Sequence, residues 1–68
     1  MWHQEMDNIL IAAGLHGHRF DVLKKHFKGR ADEEELKGYL ELLLKEDKAQ
    51  KFKHNGHYYW RATVNIKK

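Results

Sequence analysis

The chain has 68 residues, of which 41% are hydrophobic and 34% are charged, and it contains no cysteine. This length encloses one small core, and this composition is typical of a folded domain rather than of a disordered chain. Without cysteine there is neither a disulfide nor a thiolate metal site, so stability must come from packing or from self-association. We therefore predict a single soluble domain over residues 1–68, with a flexible tail over residues 65–68 and a homodimer as one way to gain stability.

The N-terminal segment lacks the pattern of a targeting signal. Glu5 and Asp7 lie where a signal peptide would have a basic and then an apolar stretch. No run of residues approaches the ~20 apolar residues of a membrane span. We expect a cytoplasmic protein, or a nuclear one in a eukaryotic cell, and no membrane partner.

Charge is segregated along the chain. The net charge of +3 divides into −2 over residues 1–18, +4 over residues 19–30, −5 over residues 31–47 and +6 over residues 48–68. A mildly basic total permits nucleic-acid binding without requiring it, so the distribution carries more information than the sum.

Helical spacing predicts a first helix that Gly14 ends. Its apolar face consists of Trp2, Met6, Ile9, Leu10 and Ala13. A loop follows, with a brief extended piece at Arg19 and Phe20. Asp21 is then predicted to cap a short second helix that stops at Gly29. The apolar stripe of this second helix is predicted to be Val22, Leu23, His26 and Phe27.

The segment from Asp32 to Glu35 predicts the start of a long third helix. Asp32 can cap the helix while Glu35 reaches back to form a capping box, and acidic residues suit the positive end of the helix dipole. We expect the helix to run to about Glu46. Its buried face is predicted to be Leu36, Tyr39, Leu40, Leu43 and Leu44.

The Asn55-Gly56 dipeptide predicts a β-hairpin between residues 48–53 and 57–64, because both residues tolerate the positive φ of a type I′ turn. A two-residue turn fixes the register. It pairs His54 with His57, Phe52 with Tyr59 and Gln50 with Arg61 on one face, and Lys53 with Tyr58, Lys51 with Trp60 and Ala49 with Ala62 on the other. The residues expected to face the core are Ala49, Trp60, Ala62 and Val64, with the Lys51 stem lying along Trp60.

This order of elements resembles the winged helix-turn-helix superfamily over residues 19–63. The matching positions are Phe20, Leu23, Leu36, Leu40, Leu43, Leu44, Ala49, the Asn55-Gly56 turn and the Tyr59-Trp60-Arg61-Ala62 stretch. The resemblance implies an α+β fold with three helices followed by a C-terminal hairpin, the wing. Because most of these positions are core positions, it implies less about function.

In DNA-binding members of this superfamily the third helix enters the major groove and the wing touches the backbone or the minor groove. Here carboxylates crowd the end of the third helix that would approach the bases, and phosphates repel them. Other members that look similar bind proteins. An acidic third helix suits that use as well.

Two basic patches are the candidate nucleic-acid-binding residues, because cations neutralise phosphates and aromatic rings stack on bases. They are Lys24, Lys25, Lys28 and Arg30 of the second helix and its end, and Lys51, Lys53, His57, Tyr58 and Arg61 of the hairpin. The structural alternative is that hairpin lysines protect a strand edge and that the helical cations interact with the helix dipole. The alternative protein-interaction surface is Asp32, Glu33, Glu34, Lys37 and Glu41.

Catalysis and cofactor binding have little support in the sequence. The chain has no Cys or Ser and only one Thr, Thr63, so no nucleophile beside a base is predicted. No phosphate-binding or dinucleotide-binding glycine pattern is present. The six histidines lack the spacing of a zinc site, and an opposed His54–His57 pair supplies only two ligands, so we predict no metal.

The sequence therefore predicts a small non-enzymatic DNA-binding protein that acts in transcription or a similar DNA transaction. Phosphate contacts come from the second helix and the wing. Sequence specificity is expected to be poor, since the third helix offers few donors beyond Lys37. The alternative is a protein-interaction domain whose acidic third helix docks a basic surface, including the hairpin of a second copy.

Overall fold

The computed structural model describes residues 2–66. Its elements in chain order are α1 (Trp2–Ala12), β1 (His18–Arg19), α2 (Phe20–His26), α3 (Glu33–Lys45), β2 (Ala49–His54), β3 (His57–Ala62) and a 3-10 turn over Thr63–Asn65. The three strands form one antiparallel sheet in the order β1-β3-β2. The predicted α+β class, with three helices and a C-terminal hairpin, is confirmed. None of the helices within residues 2–66 is long and apolar enough to cross a membrane.

The start of α2 differs from the prediction. Helix α2 begins at Phe20, so Arg19 and not Asp21 occupies the N-cap position, and the short strand is His18–Arg19. The Phe20 ring packs against Trp60 with ring centroids 5.7 Å apart, which fixes Phe20 at the sheet and brings it into the first helical turn. The Asp21 carboxylate instead accepts a hydrogen bond from the Arg19 guanidinium at 3.1 Å.

The buried stripe of α2 is narrower than predicted. Leu23 and Phe27, four residues apart, are fully buried, whereas Val22 is 43% exposed. His26 is also exposed, and its ring contacts the Glu5 carboxylate. Two residues at i and i+4 suffice to dock a helix of 7 residues against the core.

The predicted capping box of α3 is confirmed. The Asp32 side chain accepts from the Glu35 backbone amide at 2.8 Å, and the Glu35 side chain accepts from the Asp32 amide at 3.2 Å. Helix α3 ends at Lys45, with Glu46 as its C-cap. Leu36, Leu40 and Leu43 are buried, while Tyr39 and Leu44 pack against them as partly buried residues.

The hairpin has the predicted register at every position from Ala49–Ala62 to His54–His57. Asn55 and Gly56 have φ of 52° and 81°, the values that a type I′ turn requires. Strand β1 adds to the other edge of β3, pairing His18 with Trp60. This third strand was not predicted to pair, since 2 residues are too few to show an alternating pattern.

The core lies between the helices and one face of the sheet. It consists of Met6, Leu10, Leu23, Phe27, Leu36, Leu40, Leu43, Ala49, Trp60 and Ala62. The prediction that Val64 faces inward is wrong, because Val64 is 62% exposed. The strand alternation stops at Ala62, and the 3-10 turn that follows rotates Val64 towards solvent.

Asn65 links the end of the chain to α1. Its side-chain amide donates to the carbonyl oxygens of Leu10, Ile11 and Gly14 at 3.2, 3.0 and 3.2 Å. Leu10 and Ile11 lie in the last turn of α1 and Gly14 follows it, where carbonyl oxygens no longer receive the full set of helical hydrogen bonds. The flexible tail was predicted to begin at Asn65, which is instead bonded to α1, and residues 67 and 68 lie outside the described residues.

Candidate nucleic-acid interface

The core-facing side of the hairpin carries two lysines and a tyrosine beyond the edge of the core. The Lys51 Nζ lies 4.4 Å from the centroid of the Tyr58 ring and 5.5 Å from that of Trp60. The Lys53 Nζ lies 5.8 Å from the Tyr58 ring. Tyr58 is 50% exposed, so an aromatic ring with two ammonium groups beside it is presented to solvent. Such a cluster offers both charge neutralisation and a stacking surface to a nucleic acid.

A groove of about 710 Å³ separates this cluster from α3. We call it the hairpin groove. Its lining includes the aromatic rings of Phe20, Tyr58 and Trp60. Three cations and two carboxylates also line it; they are Arg19, Lys37, Lys51, Asp21 and Glu41. The Lys37 Nζ lies 5.6 Å from the Phe20 ring.

A second groove, of about 680 Å³, lies between α2 and the start of α3. We call it the helix groove. Its cations are Lys24, Lys25, Lys28 and Arg30, and its carboxylates are Asp21, Asp32, Glu33 and Glu35. Asp21 lines both grooves, so the two grooves meet at the start of α2. Each groove also has residues of α3 in its lining.

Part of the acidic charge of α3 is neutralised within the fold. The Glu33 carboxylate contacts the Lys24 Nζ at 2.9 Å and the Lys37 Nζ at 3.3 Å. These hydrogen bonds, that of Lys24 first, hold the pKa of Glu33 below its ordinary value. Glu34 and Glu41 have no ion pair with any residue between 2 and 66. The acidic surface is thus less negative than the sequence count suggests.

Arg30 is engaged by α1. Its guanidinium donates two hydrogen bonds to the Glu5 carboxylate, at 2.6 and 2.9 Å, and the His26 ring contacts the same carboxylate at 2.6 Å. The Arg30 hydrogen bond is the main reason that the pKa of Glu5 falls to about 2, and the pairing raises the pKa of Arg30. Arg30 therefore fastens α2 to α1 and has little capacity left for a phosphate.

Four of the predicted lysines have no carboxylate partner among the described residues. They are Lys25, Lys28, Lys51 and Lys53. All four are exposed. An unpaired surface lysine can neutralise a phosphate and so release the counterions condensed on DNA, which is the main source of non-specific affinity for DNA.

Arg61 lies on the opposite face of the sheet from the Lys51–Tyr58–Lys53 cluster. It alternates with the inward-facing Trp60 and Ala62, and its Nη1 donates to the Leu15 carbonyl oxygen at 3.1 Å. The structure therefore brings together Lys24, Lys25 and Lys28 in the helix groove, and Lys51, His57 and Tyr58 in the hairpin groove, with Lys53 beside the Tyr58 ring but outside the groove lining. It does not bring Arg61 to either groove, and it brings Arg30 to the helix groove only as the partner of Glu5.

The ion pair of Glu5 with Arg30 was missed by sequence reasoning, because the two residues are 25 positions apart and nothing local links them.

No group of three or more metal-ligating side chains occurs within residues 2–66. No family model matches the chain, and no curated protein and no solved structure matches it. The site is therefore interpreted from its geometry and charge.

Proposed function

We propose that this chain is a non-enzymatic, winged-helix-like protein that binds duplex DNA through α2 and the hairpin. The observation that carries the proposal is that four of the five exposed lysines without carboxylate partners within residues 2–66 lie on or just after α2 and on the hairpin; they are Lys25, Lys28, Lys51 and Lys53. Both pairs border α3, the helix that the winged-helix resemblance would direct towards DNA. We expect a role in transcription or another DNA transaction, in the cytoplasm or in a eukaryotic nucleus.

Binding of this kind depends on backbone phosphates rather than on bases. The candidates are Lys25 and Lys28 from α2, and Lys51 and Lys53 beside Tyr58. Lys37 is the α3 donor that we expect to reach a base, and it also pairs with Glu33. Glu41, which lines the hairpin groove, repels phosphate. We therefore expect affinity that depends strongly on salt and weakly on sequence.

A salt series with matched variants tests this proposal. Binding to a labelled duplex of random sequence is measured by fluorescence anisotropy at increasing salt. If the four unpaired lysines contact phosphates, the slope of log affinity against log salt is about −4, since each contact contributes about −0.9. The double substitution Lys51→Gln, Lys53→Gln should weaken binding and reduce this slope by about 2.

The control is the double substitution Lys45→Gln, Lys48→Gln. It removes the same charge from exposed positions at the C-terminal end of α3 and the start of the hairpin, away from both grooves. The control should bind duplex DNA as the unmodified protein does, apart from a small effect of net charge. No detectable binding at about 50 mM salt and micromolar protein would remove the proposal.

Glu34 and Glu41 support a second candidate function, a protein-interaction domain. Both carboxylates are exposed and have no ion pair within residues 2–66. With Glu33, they could dock a basic surface such as the hairpin of a second copy. Sedimentation of the protein and of a Glu34→Lys, Glu41→Lys variant tests this function. Self-association that the variant loses supports it, and an unchanged sedimentation coefficient shows that the acidic face is not used between copies.

A further inference from the structure

The solvent-facing side of the hairpin carries a second group of aromatic and basic side chains. Strand alternation and register place six side chains on the face opposite the core: Gln50, Phe52, His54, His57, Tyr59 and Arg61. We call this the outer face. No residue of β2 or β3 is acidic, so the outer face has aromatic rings and positive charge without a carboxylate of its own strands.

The aromatic side chains of the outer face form a continuous stack. The Phe52 and Tyr59 rings are 5.5 Å apart and nearly parallel, with an interplanar angle of 18°. The Arg61 guanidinium lies 4.4 Å from the centroid of the Phe52 ring, and the His54 ring meets Tyr59 edge-on at 6.1 Å. Guanidinium, two rings and an imidazole therefore run diagonally across the two strands. A cross-strand pair of rings stabilises a hairpin, but that role does not require the cation.

Arg61 is the unusual member of this stack. It is half-buried, and it has no carboxylate partner among residues 2–66. Its Nη1 donates to the Leu15 carbonyl oxygen, its Nη2 is 3.5 Å from the Gln50 side-chain oxygen, and its Nε is buried without a hydrogen-bond partner. The buried Nε cannot reach a ligand, but each Nη carries a second hydrogen that these contacts do not use, so the Nη atoms can still donate to an anion. Arg61 holds its positive charge against an aromatic ring, and no carboxylate pairs with it. This arrangement is complementary to a negatively charged ligand that also has planar rings, such as a nucleic acid.

From this arrangement we infer that the outer face binds single-stranded nucleic acid, with unpaired bases stacking on the Phe52–Tyr59 pair and Arg61 contacting the strand. Proteins that bind single strands combine cations with aromatic rings on which bases stack, and this recognition tolerates any base. A duplex keeps its bases stacked inside, so it cannot use these rings in the same way. The inferred site lies on the opposite side of the sheet from the Lys51–Tyr58–Lys53 cluster and does not depend on the duplex-binding proposal.

Binding of labelled oligothymidylate and oligouridylate, each of about 12 nucleotides, tests the inference against a blunt duplex of similar length. Fluorescence anisotropy is measured for the full chain at about 50 mM salt, where electrostatic binding is strong. Both single strands should bind, and the tighter of the two identifies DNA or RNA as the natural source of the bases. Ring resonances of Phe52 and Tyr59 should shift in the NMR spectrum when the strand is added.

The variants Arg61→Gln and Phe52→Leu separate the outer face from the grooves. Each should weaken single-strand binding about tenfold and change duplex binding by less than about twofold, because loss of one stacking or charged contact has roughly that effect. Lys51→Gln, Lys53→Gln is the matched variant on the core-facing side and should show the opposite preference. Thermal unfolding confirms that each variant is folded, and Phe52→Leu alone carries the test if Arg61→Gln fails to fold.

Three results would overturn the inference. One is the absence of single-strand binding or of any shift in the two ring resonances. Another is unchanged single-strand affinity in the folded Arg61 and Phe52 variants. The last is that a polyglutamate peptide of similar charge binds as tightly and with the same dependence on Arg61, which would indicate an acidic protein partner. Loss of duplex binding alone, with single-strand binding intact, would contradict only the proposed function.

Discussion

The Glu5 carboxylate contacts two residues that are distant in sequence, His26 and Arg30. It accepts from Arg30 and contacts His26, which joins α1 to α2, and its pKa falls to about 2, with the Arg30 hydrogen bond as the main cause. In the unfolded chain a glutamate has a pKa of about 4.3. A carboxyl whose pKa is lower in the folded state stabilises the fold above the unfolded value, and this contribution is lost as the pH falls through the folded value.

We therefore predict that Glu5→Gln lowers the urea midpoint of unfolding at pH 7, and that the difference from the unmodified protein shrinks between about pH 4.3 and pH 2. Urea unfolding at several pH values measures it. The matched control is Glu41→Gln, which removes an exposed carboxylate without an ion pair within residues 2–66. A Glu5→Gln effect that is the same at pH 7 and at pH 2 would contradict the role assigned to this carboxylate.

Gly17 lies against the backbone of β3. Its φ is +70°, and a Cβ added there would lie 2.7 Å from the Trp60 carbonyl oxygen and 3.2 Å from the Phe52 ring. Gly14 has a similar φ of +63° but open space around it. The two glycines therefore separate the effect of a left-handed backbone from the effect of close contact.

We predict that Gly14→Ala destabilises the fold by about 1–2 kcal/mol, the cost of a left-handed alanine. Gly17→Ala should cost about 3 kcal/mol or more, because the new methyl group must also push β1 away from β3. Chemical denaturation of both variants measures the difference. Equal destabilisation would mean that the segment around Gly17 moves freely and that β1 does not hold its place on the sheet.

At the scale of elements, the C-terminal end of α1 depends on a residue from the other end of the chain. The Asn65 amide donates to the carbonyl oxygens of Leu10 and Ile11 in α1 and of Gly14 just after it, in addition to the Gly14 backbone amide, which donates to Ile11 at 3.3 Å. We predict that Asn65→Ala costs about 1–2 kcal/mol of stability, as expected for the loss of these hydrogen bonds. Asn65→Asp should cost more, since a carboxylate would face carbonyl oxygens at the negative end of the helix.

Val64→Ala is the control for this prediction, because Val64 is adjacent and exposed, and a surface change of this kind is usually worth less than about 0.5 kcal/mol. Thermal unfolding, followed by circular dichroism of the helices, compares the three variants. If Asn65→Ala is as stable as Val64→Ala, the amide does not cap α1 in solution.

Elements with local signals were predicted well. The Asn55-Gly56 turn fixed the whole hairpin register, because a two-residue loop leaves no freedom to slip, and the spacing of Asp32 and Glu35 fixed the start of α3. The predictions failed where the position of a residue depends on contacts with segments that are distant in sequence. Phe20 joins the helix because it packs on Trp60, and Val64 leaves the strand pattern because the chain turns back to α1.

The candidate site was predicted in composition but not in arrangement. Residue types and charge blocks identified the lysines of α2 and the hairpin. Which of them remain unpaired depends on contacts between distant segments, such as Arg30 with Glu5 and Lys24 with Glu33. Arg61 and Lys51 lie on opposite faces of the hairpin because side chains alternate along a strand. The predicted register already placed them on opposite faces.

At the scale of the whole molecule, the charge segregation of the sequence becomes a surface in which α2 and the hairpin border α3. Internal ion pairs at Glu5 and Glu33 remove part of the opposing negative charge. The exposed lysines without carboxylate partners within residues 2–66 include Lys25 and Lys28 at the helix groove and Lys51 and Lys53 on the hairpin. The central claim is that these two pairs act together on one phosphate backbone.

The most direct test is NMR mapping of the isotope-labelled protein during titration with a short random duplex. The account predicts shifts that concentrate on α2 and on the hairpin near Lys51, Lys53 and Tyr58, with Lys25 and Lys28 responding at the same DNA concentration. Added salt should reverse these shifts together. Shifts confined to α1 and the 3-10 turn, or separate responses of α2 and the hairpin, would contradict a single cationic surface.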